Sequence, residues 1–177
     1  MILRPATPTD AGVVCDLILE LADYEKLRHD AATTPEAIRA ALDPPPGAPR
    51  LDVLLASPGE GEAAGREAAG REAAGREAAG FALFFPVYST FRAGWGLYLE
   101  DLYVRPEHRG TGVGLALLRA VAQEAVRRGA PRLDWVVLDW NAPAVGFYRR
   151  LGAVAMDEWT GMRLTGDALA ALGADPR

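Results

Sequence analysis

The sequence predicts an α/β fold, a mixed sheet with helices on both faces. Three observations carry that expectation. Apolar residues switch between period two and period 3.6 in the order strand, helix, helix, three strands, helix, strand, helix, strands. The longest helical pattern follows a glycine-rich turn, with Leu117, Leu118, Val121, Ala122 and Ala125 on one stripe and Arg119, Gln123, Glu124 and Arg127 between them. Residues 81–87 are apolar on both faces, which marks a central strand covered on both sides. At 177 residues one domain, 1–177, is expected, with enough chain to bury a core.

Taken in order, Ile2–Pro5 reads as a first strand. Thr7 or Thr9 then caps a helix running to about Tyr24, with Val13, Val14, Leu17, Ile18 and Leu21 on one face. Tyr24 and Glu25 lie just past its end. Thr34-Pro35-Glu36 opens a second helix to Leu42, with proline in its first turn, and the proline-rich stretch 44–49 stops it. Residues 51–56 form a buried strand. An insertion at about 57–80 follows, where residues 62–80 repeat Glu-Ala-Ala-Gly-Arg with period five. Glu62, Glu67 and Glu72 each have an arginine four residues on, which favours helix, while each glycine costs about 1 kcal/mol against it. Alanine is its sole apolar residue, so it is expected to be a mobile loop or marginal helix, dispensable to the fold.

Strands at 81–87 and 96–104 flank a turn that carries Trp95. The long helix ends at Gly129-Ala130-Pro131, a glycine cap followed by proline. A strand at 133–138 leads to a helix at 142–151, capped by Asn141 and closed by Gly152. Residues 153–159 and 162–165 are expected to pair as a last hairpin, and 167–172 to form a terminal helix.

The bulk properties exclude several classes. A net charge of −5 disfavours nucleic-acid partners and suits a small cation. No apolar run reaches membrane-spanning length and no secretory leader is seen. Cys15, the single cysteine, fits a reducing cytoplasm and reads as a buried structural thiol. With two histidines, His29 and His108, at no paired spacing, a metal site is not expected.

The turn Arg109-Gly110-Thr111-Gly112-Val113-Gly114 joins a strand to a helix and makes an anion cradle. Glycines let backbone N–H groups approach a phosphate, and the helix N-terminus adds partial positive charge. A nucleotide-binding P-loop would need a lysine after the last glycine, and the dinucleotide fingerprint a wider final spacing, so neither fits. A plain tight turn is the alternative.

Residues beyond the turn narrow the choice. Arg-Gly-x-Gly-x-Gly after Asp101-Leu102-Tyr103-Val104-Arg105-Pro106 resembles the acyl-CoA loop of the GNAT N-acetyltransferase superfamily. Arg4-Pro5-Ala6-Thr7, Leu21-Ala22-Asp23-Tyr24-Glu25, Tyr98-Leu99-Glu100-Asp101, and Trp140-Asn141-x-Pro143 leading to Phe147-Tyr148-Arg149-Arg150 are similar to its diamine (spermidine/spermine) branch. The resemblance spans about Ile2 to Leu164 and lapses across 44–80. It implies a mostly antiparallel sheet whose fourth and fifth strands splay into a V-shaped cleft, acetyl-CoA as co-substrate, and a homodimer whose last strands form the interface.

The resemblance also assigns roles. Acyl transfer from a thioester to an amine needs the cofactor diphosphate held, the ammonium deprotonated, the oxyanion stabilised and the thiolate protonated. Arg109, Gly110, Thr111, Gly112, Val113, Gly114 and Leu115 would hold the diphosphate. Leu102, Tyr103 and Val104 would run beside the pantetheine arm, with the Leu102 N–H as oxyanion donor. Glu100 is the candidate base, acting through water, since strict alternation puts it on the face of Leu102 and turns Asp101 away. Tyr148 is the candidate acid, a phenol two turns past the Asn141 cap. Asn141, Ala144 and Phe147 would border the cofactor, with Arg150 at its 3′-phosphate end. Tyr24, Glu25, Glu100, Asp134 and Trp135 would line the amine site.

Departures from the branch pattern near Thr160 and Met162 leave the amine open between a polyamine or diamine and a thialysine-like amino acid. A protein or peptide N-acetyltransferase and a non-catalytic acyl-CoA sensor are the alternatives from other classes.

Overall fold

The computed structural model describes residues 1–59 and 78–174, in two compact units, Met1–Val136 and Val137–Arg177. The first unit holds a five-stranded sheet in the order β1 (Ile2–Pro5), β2 (Asp52–Ser57), β3 (Gly80–Ser89), β4 (Gly94–Val104), β5 (Leu133–Asp134). Every neighbouring pair is antiparallel except β4 with β5, which run parallel. The helices α1 (Ala11–Tyr24), α2 (Pro35–Leu42) and α3 (Val113–Arg127) belong to the same unit.

Strand alternation sorts the two faces. Val53, Leu55, Phe81, Leu83 and Tyr103 form one core with Val14, Cys15 and Leu17 of α1 and with Ile38 and Leu42 of α2. Ala82 and Phe84, one residue out of phase, are also buried, and α3 packs on β2, β3 and β4. Arg128, just past α3, places its guanidinium 5.8 Å from the centre of the Phe84 ring. The central position expected for residues 81–87 follows from this double cover.

Local signals set the ends. A short 3-10 turn at Pro8–Asp10 precedes α1, and the Thr7 N–H donates to the Asp10 carboxylate at 2.8 Å. Arg4 donates to the other Asp10 oxygen at 2.7 Å and holds that carboxyl well below the ordinary aspartate range. The Thr34 hydroxyl accepts from the Ala37 N–H at 3.2 Å, capping α2. Burial raises the Cys15 thiol above its ordinary value, consistent with a structural role. Among the described residues no helix is long and apolar enough to cross a membrane.

Three expectations need correction. The strand expected at 133–138 is paired only at Leu133 and Asp134; Val136 is exposed and has no apolar face to bury there. The hairpin expected at 153–159 and 162–165 does not form. Val154, Met156, Trp159 and Met162 stand exposed, and an isolated hairpin with no covered face is marginal in water. The insertion is also tighter at its edges than 57–80: Ser57 completes β2, Gly80 opens β3, and Ala78 and Ala79 are buried. Repeat residues 60–77, on which the loop expectation falls, lie outside the described residues.

The second unit contains α4 (Ala142–Arg150) and α5 (Gly166–Gly173). The Asn141 side-chain oxygen accepts from the Ala144 N–H at 3.3 Å, as the capping signal predicts. A cavity of about 450 Å³ lies along α4, lined by Ala142, Val145, Gly146 and Arg149 with Val137, Asp139, Ala155 and Asp157.

Candidate active site

The first unit gathers most of the candidate residues at the C-terminal end of β4. Strand β5 pairs with β4 only at Leu97 and Tyr98, so the two strands part there, as the splayed cleft requires. From Leu99 to Val104 only β3 pairs with β4 among the described residues. The Arg105 N–H donates toward β3, to the Ala79 carbonyl at 2.9 Å. The Val104 carbonyl points the other way, where it accepts from Arg109 Nε at 2.9 Å. Backbone groups of alternate residues on an antiparallel strand share a direction, so the N–H groups of Leu102 and Val104 both face the open side. That is the placement an oxyanion donor at Leu102 needs. Tyr103 turns its ring into the α1 core and its backbone groups toward β3, so it offers the open side neither.

The cradle follows at once. Gly110 and Gly112 have φ of +76° and +92°, the left-handed region that glycine enters without strain, and the space beside each Cα is open. Gly112 is the N-cap of α3, so the N–H groups of Val113, Gly114 and Leu115 lie in a first turn without intrahelical partners. Thr111 closes the loop through its hydroxyl, which donates to the His108 carbonyl at 2.7 Å. A Cβ at Gly114 would sit 3.5 Å from the Val104 side chain, an ordinary contact, so this position has room for alanine. A diphosphate fits this loop: it presents donors, leaves the space beside Gly110 and Gly112 open and puts a helix N-terminus behind them.

Arg109, at the start of the loop, also has partners within the fold. Its guanidinium stacks 4.6 Å from the centre of the Tyr24 ring and 5.7 Å from that of Tyr103. It ties the start of the glycine loop to the end of α1. A second tie, unforeseen in the sequence, is the fork between Arg105 and Glu20, with Arg105 Nε 3.0 Å and Nη2 2.8 Å from the carboxylate oxygens. Its one signal is a charge at each end of elements that only tertiary packing brings together.

Beyond Tyr24, α1 closes with Leu27 N–H donating to Ala22 O at 2.8 Å and Lys26 N–H to Asp23 O at 3.1 Å. This is a left-handed cap in which Lys26, at φ +62°, fills the position glycine usually takes. The turn leaves Glu25 half-buried, and burial raises its carboxyl above the ordinary range.

Of the two adjacent carboxylates on β4, Glu100 does not sit as strict alternation predicts. Leu83 stands opposite Asp101 and Phe84 opposite Leu99, so Glu100 is the extra residue of a β-bulge. Glu100 is exposed. Asp101 is only partly accessible, on the face of Leu83, toward α1. Burial first, then the charges of Glu100 and Glu25, push the Asp101 carboxyl up to about 7. Asp101 is thus the residue the sequence reasoning set aside. The signal was present: apolar Leu97, Leu99, Leu102 and Val104 break phase between 99 and 102. Asp134 is paired with Arg132 at 2.6 Å and stands opposite Tyr98, and Trp135 follows it, half-buried.

The second unit carries the remaining candidates on α4. Ala144, Phe147 and Tyr148 are half-buried, Asn141 is buried as the cap, and Arg150 is exposed. The Phe147 and Tyr148 rings lie 5.2 Å apart, tilted by 58°.

Comparison with known proteins adds three findings. A family model described as Acetyltransferase (GNAT) family matches residues 38–153. The chain is similar to thialysine N-epsilon-acetyltransferase of Mus musculus, 35% identical over 94% of this chain and 94% of that protein. It is likewise similar to L-ornithine N5-acetyltransferase of Arabidopsis thaliana, 35% identical over 96% of this chain and 86% of that one. Among solved structures, an integron cassette protein of V. cholerae superposes with a TM-score of 0.71 at 21% identity, covering 98% of each chain. An aminoglycoside acetyltransferase from a soil metagenome gives 0.71 at 15% identity, over 94% of this chain and 96% of that one. The two structures share the fold.

Proposed function

The chain belongs to the GNAT acetyltransferase family and is an acetyl-CoA-dependent N-acetyltransferase, and from that premise we propose that its acceptor is the side-chain amine of a small basic amino acid of the ornithine or thialysine type. One observation carries the reading: β4 loses its second strand partner where Glu100 and Asp101 stand, then runs directly into a glycine loop of open N–H groups. Acyl acceptor and acyl donor would meet along that edge. An amino acid is preferred to a polyamine because the near-full-length relatives bear those substrate names.

The steps follow from the residues. The loop from Arg109 to Leu115 binds the diphosphate, and the Leu102 and Val104 N–H groups align the thioester arm, with Arg109 also bracing the loop against Tyr24. Acetyl-CoA supplies an activated acyl group when bound. Glu25 and the Glu100–Asp101 pair hold the cationic amine, joined by Asp134 and Trp135 of the neighbouring strand. A carboxylate of the pair takes one proton from the ammonium, and the nitrogen lone pair attacks the carbonyl. The Leu102 N–H holds the oxyanion as the N–C bond forms. As the C–S bond breaks, the Tyr148 phenol gives the thiolate its proton and regains one from the nitrogen, so one proton in all leaves the site. Asn141, Ala144, Phe147 and Arg150 are assigned to cofactor binding by the family resemblance.

On this reading the enzyme works in the cytoplasm and as a homodimer. Exposed Val154, Met156, Trp159, Met162 and Leu164 support the second point, since they give the C-terminal segment an apolar surface to cover.

The test is thiol release from acetyl-CoA against ornithine, thialysine, lysine, spermidine, putrescine and a lysine peptide. Saturable turnover with ornithine or thialysine is expected. Turnover confined to the peptide would overturn the small-acceptor reading. Silence with every amine, alongside tight acetyl-CoA binding, would point to a sensor. Tyr148→Phe is expected to lower kcat about 100-fold with KM for acetyl-CoA held within about threefold. An unchanged kcat removes Tyr148 from the mechanism.

A further inference from the structure

We infer that Asp101, and not the adjacent Glu100, is the group that takes the proton from the substrate ammonium. The inference rests on the transferase reading above and sharpens it to one atom pair.

The argument starts from the backbone. A strand without a bulge would place Glu100 on the face of Leu102 and Asp101 behind it. The bulge takes Glu100 off that face, because Glu100 has no residue opposite, while Asp101 stays in register against Leu83, in phase with Tyr103. Asp101 therefore shares a face with Tyr98 and Tyr103, toward the end of α1 where Glu25 sits. Its backbone neighbour Leu102 carries the N–H that faces the open edge. Proton acceptor and oxyanion donor are then consecutive residues on one rigid strand, while Glu100 hangs outside on the bulge.

The charged surroundings divide the labour. The groups facing Asp101 are acidic: Glu100 from its own strand and Glu25 from beyond α1. Tyr103 completes the face, with Arg109 and Arg105 acting on its phenol from the loop side. Two carboxylates around a partly buried third make a place where a cation lowers the energy of all three. Exposed Glu100 keeps its water and serves as a tether. Asp101, whose carboxyl is raised to about 7, pays less than an ordinary carboxyl to accept a proton from an ammonium. The proton passes from nitrogen to a carboxylate oxygen of Asp101 and leaves to solvent after the N–C bond has formed.

The experiment is the pH profile of kcat/KM for the best amine, with the full chain at saturating acetyl-CoA, for the wild type, Asp101→Asn and Glu100→Gln. The wild type is expected to rise with unit slope and bend near 7. Glu100→Gln keeps the bend, moves it to lower pH because one like charge is gone, and raises KM for the amine. Asp101→Asn loses the bend and falls about 100-fold or more. A bend that survives in Asp101→Asn and vanishes in Glu100→Gln overturns the assignment. Carbon-detected titration of labelled aspartate carboxyls in the wild type decides the case if the variant fails to fold. One aspartate titrating near 7 and moving in Glu100→Gln supports the inference, and none above 6 sinks it. A wild type that turns over no amine strikes the transferase reading itself, and the carboxyl titration still judges Asp101.

Discussion

The two halves of β4 make an instructive pair. Leu97 and Tyr98 run between β3 and the short β5, and Gly96 just before them lets the lead-in to β5 approach so closely that a Cβ would lie 3.1 Å from the Arg132 carbonyl. Residues 99–104 keep β3 alone, take a bulge at Glu100 and brace themselves through side chains, Arg105 to Glu20 and Arg109 to Tyr24. One half spends its backbone groups on its neighbours and is scaffold. The other withholds them on one side, and those withheld N–H groups are the ones the proposed chemistry calls on. A strand can serve both purposes because pairing is decided residue by residue.

The strongest way to break this contrast is at Gly80. A Cβ there would lie 2.3 Å from the Tyr103 carbonyl and 3.1 Å from the Val104 Cα, contacts with backbone that cannot swing aside. Gly80→Ala should cost about 3 kcal/mol, the upper end for overpacking, and lower Tm by roughly 6–12 °C. It should also cut kcat, because the displaced strand is the one carrying Leu102. Calorimetry with steady-state kinetics checks both, and an alanine variant with wild-type Tm would mean that the strands are not held this close.

A smaller effect tests the buried carboxyl. Asp101 is raised, so the folded chain holds its proton more tightly than the unfolded chain, whose value is near 4. Stability from this group is fullest at low pH and is lost as pH rises from about 4 through about 7. Asp101→Asn removes the loss. It should melt roughly 4 °C above the wild type at pH 8, with the gap closing as pH falls toward 4. Melting curves across that range would refute the burial if the variant melted lower at pH 8.

The smallest effect sharpens the contrast from the scaffold side. Gly96→Ala presses on the Arg132 carbonyl and its flexible side chain, and should cost about 1 kcal/mol and roughly 3 °C. Turnover should stay within about threefold, since the open half of the strand is untouched. A loss of kcat as large as that of Gly80→Ala would show the halves to be coupled.

What the sequence revealed follows the range of the interactions. The glycine turn, α3 and the caps at Thr34 and Asn141 were legible because each is set within a few residues. The place of Glu100 was not, because a bulge depends on the partner strand, and period-two reasoning assumes there is none. The Arg109 stack on Tyr24 spans most of the first unit in sequence, so no local pattern announces it. The last hairpin failed for the opposite reason: its alternation is real, but Val154, Met156, Trp159 and Met162 are exposed.

The lead-in to β3 has a genetic consequence. Ala78, Ala79 and Gly80 are built into the fold, and they are also the final copy of an Ala-Ala-Gly that recurs upstream. Loss or gain of one whole unit regenerates the same junction with Phe81. Replication slippage, the common fate of repeated codons, would therefore change the length of the connection while returning the same three residues to the sheet. Copy number can change without touching the sheet, whereas a deletion that removes Gly80 and is not a whole number of units would bring a different residue to the place where a Cβ has no room.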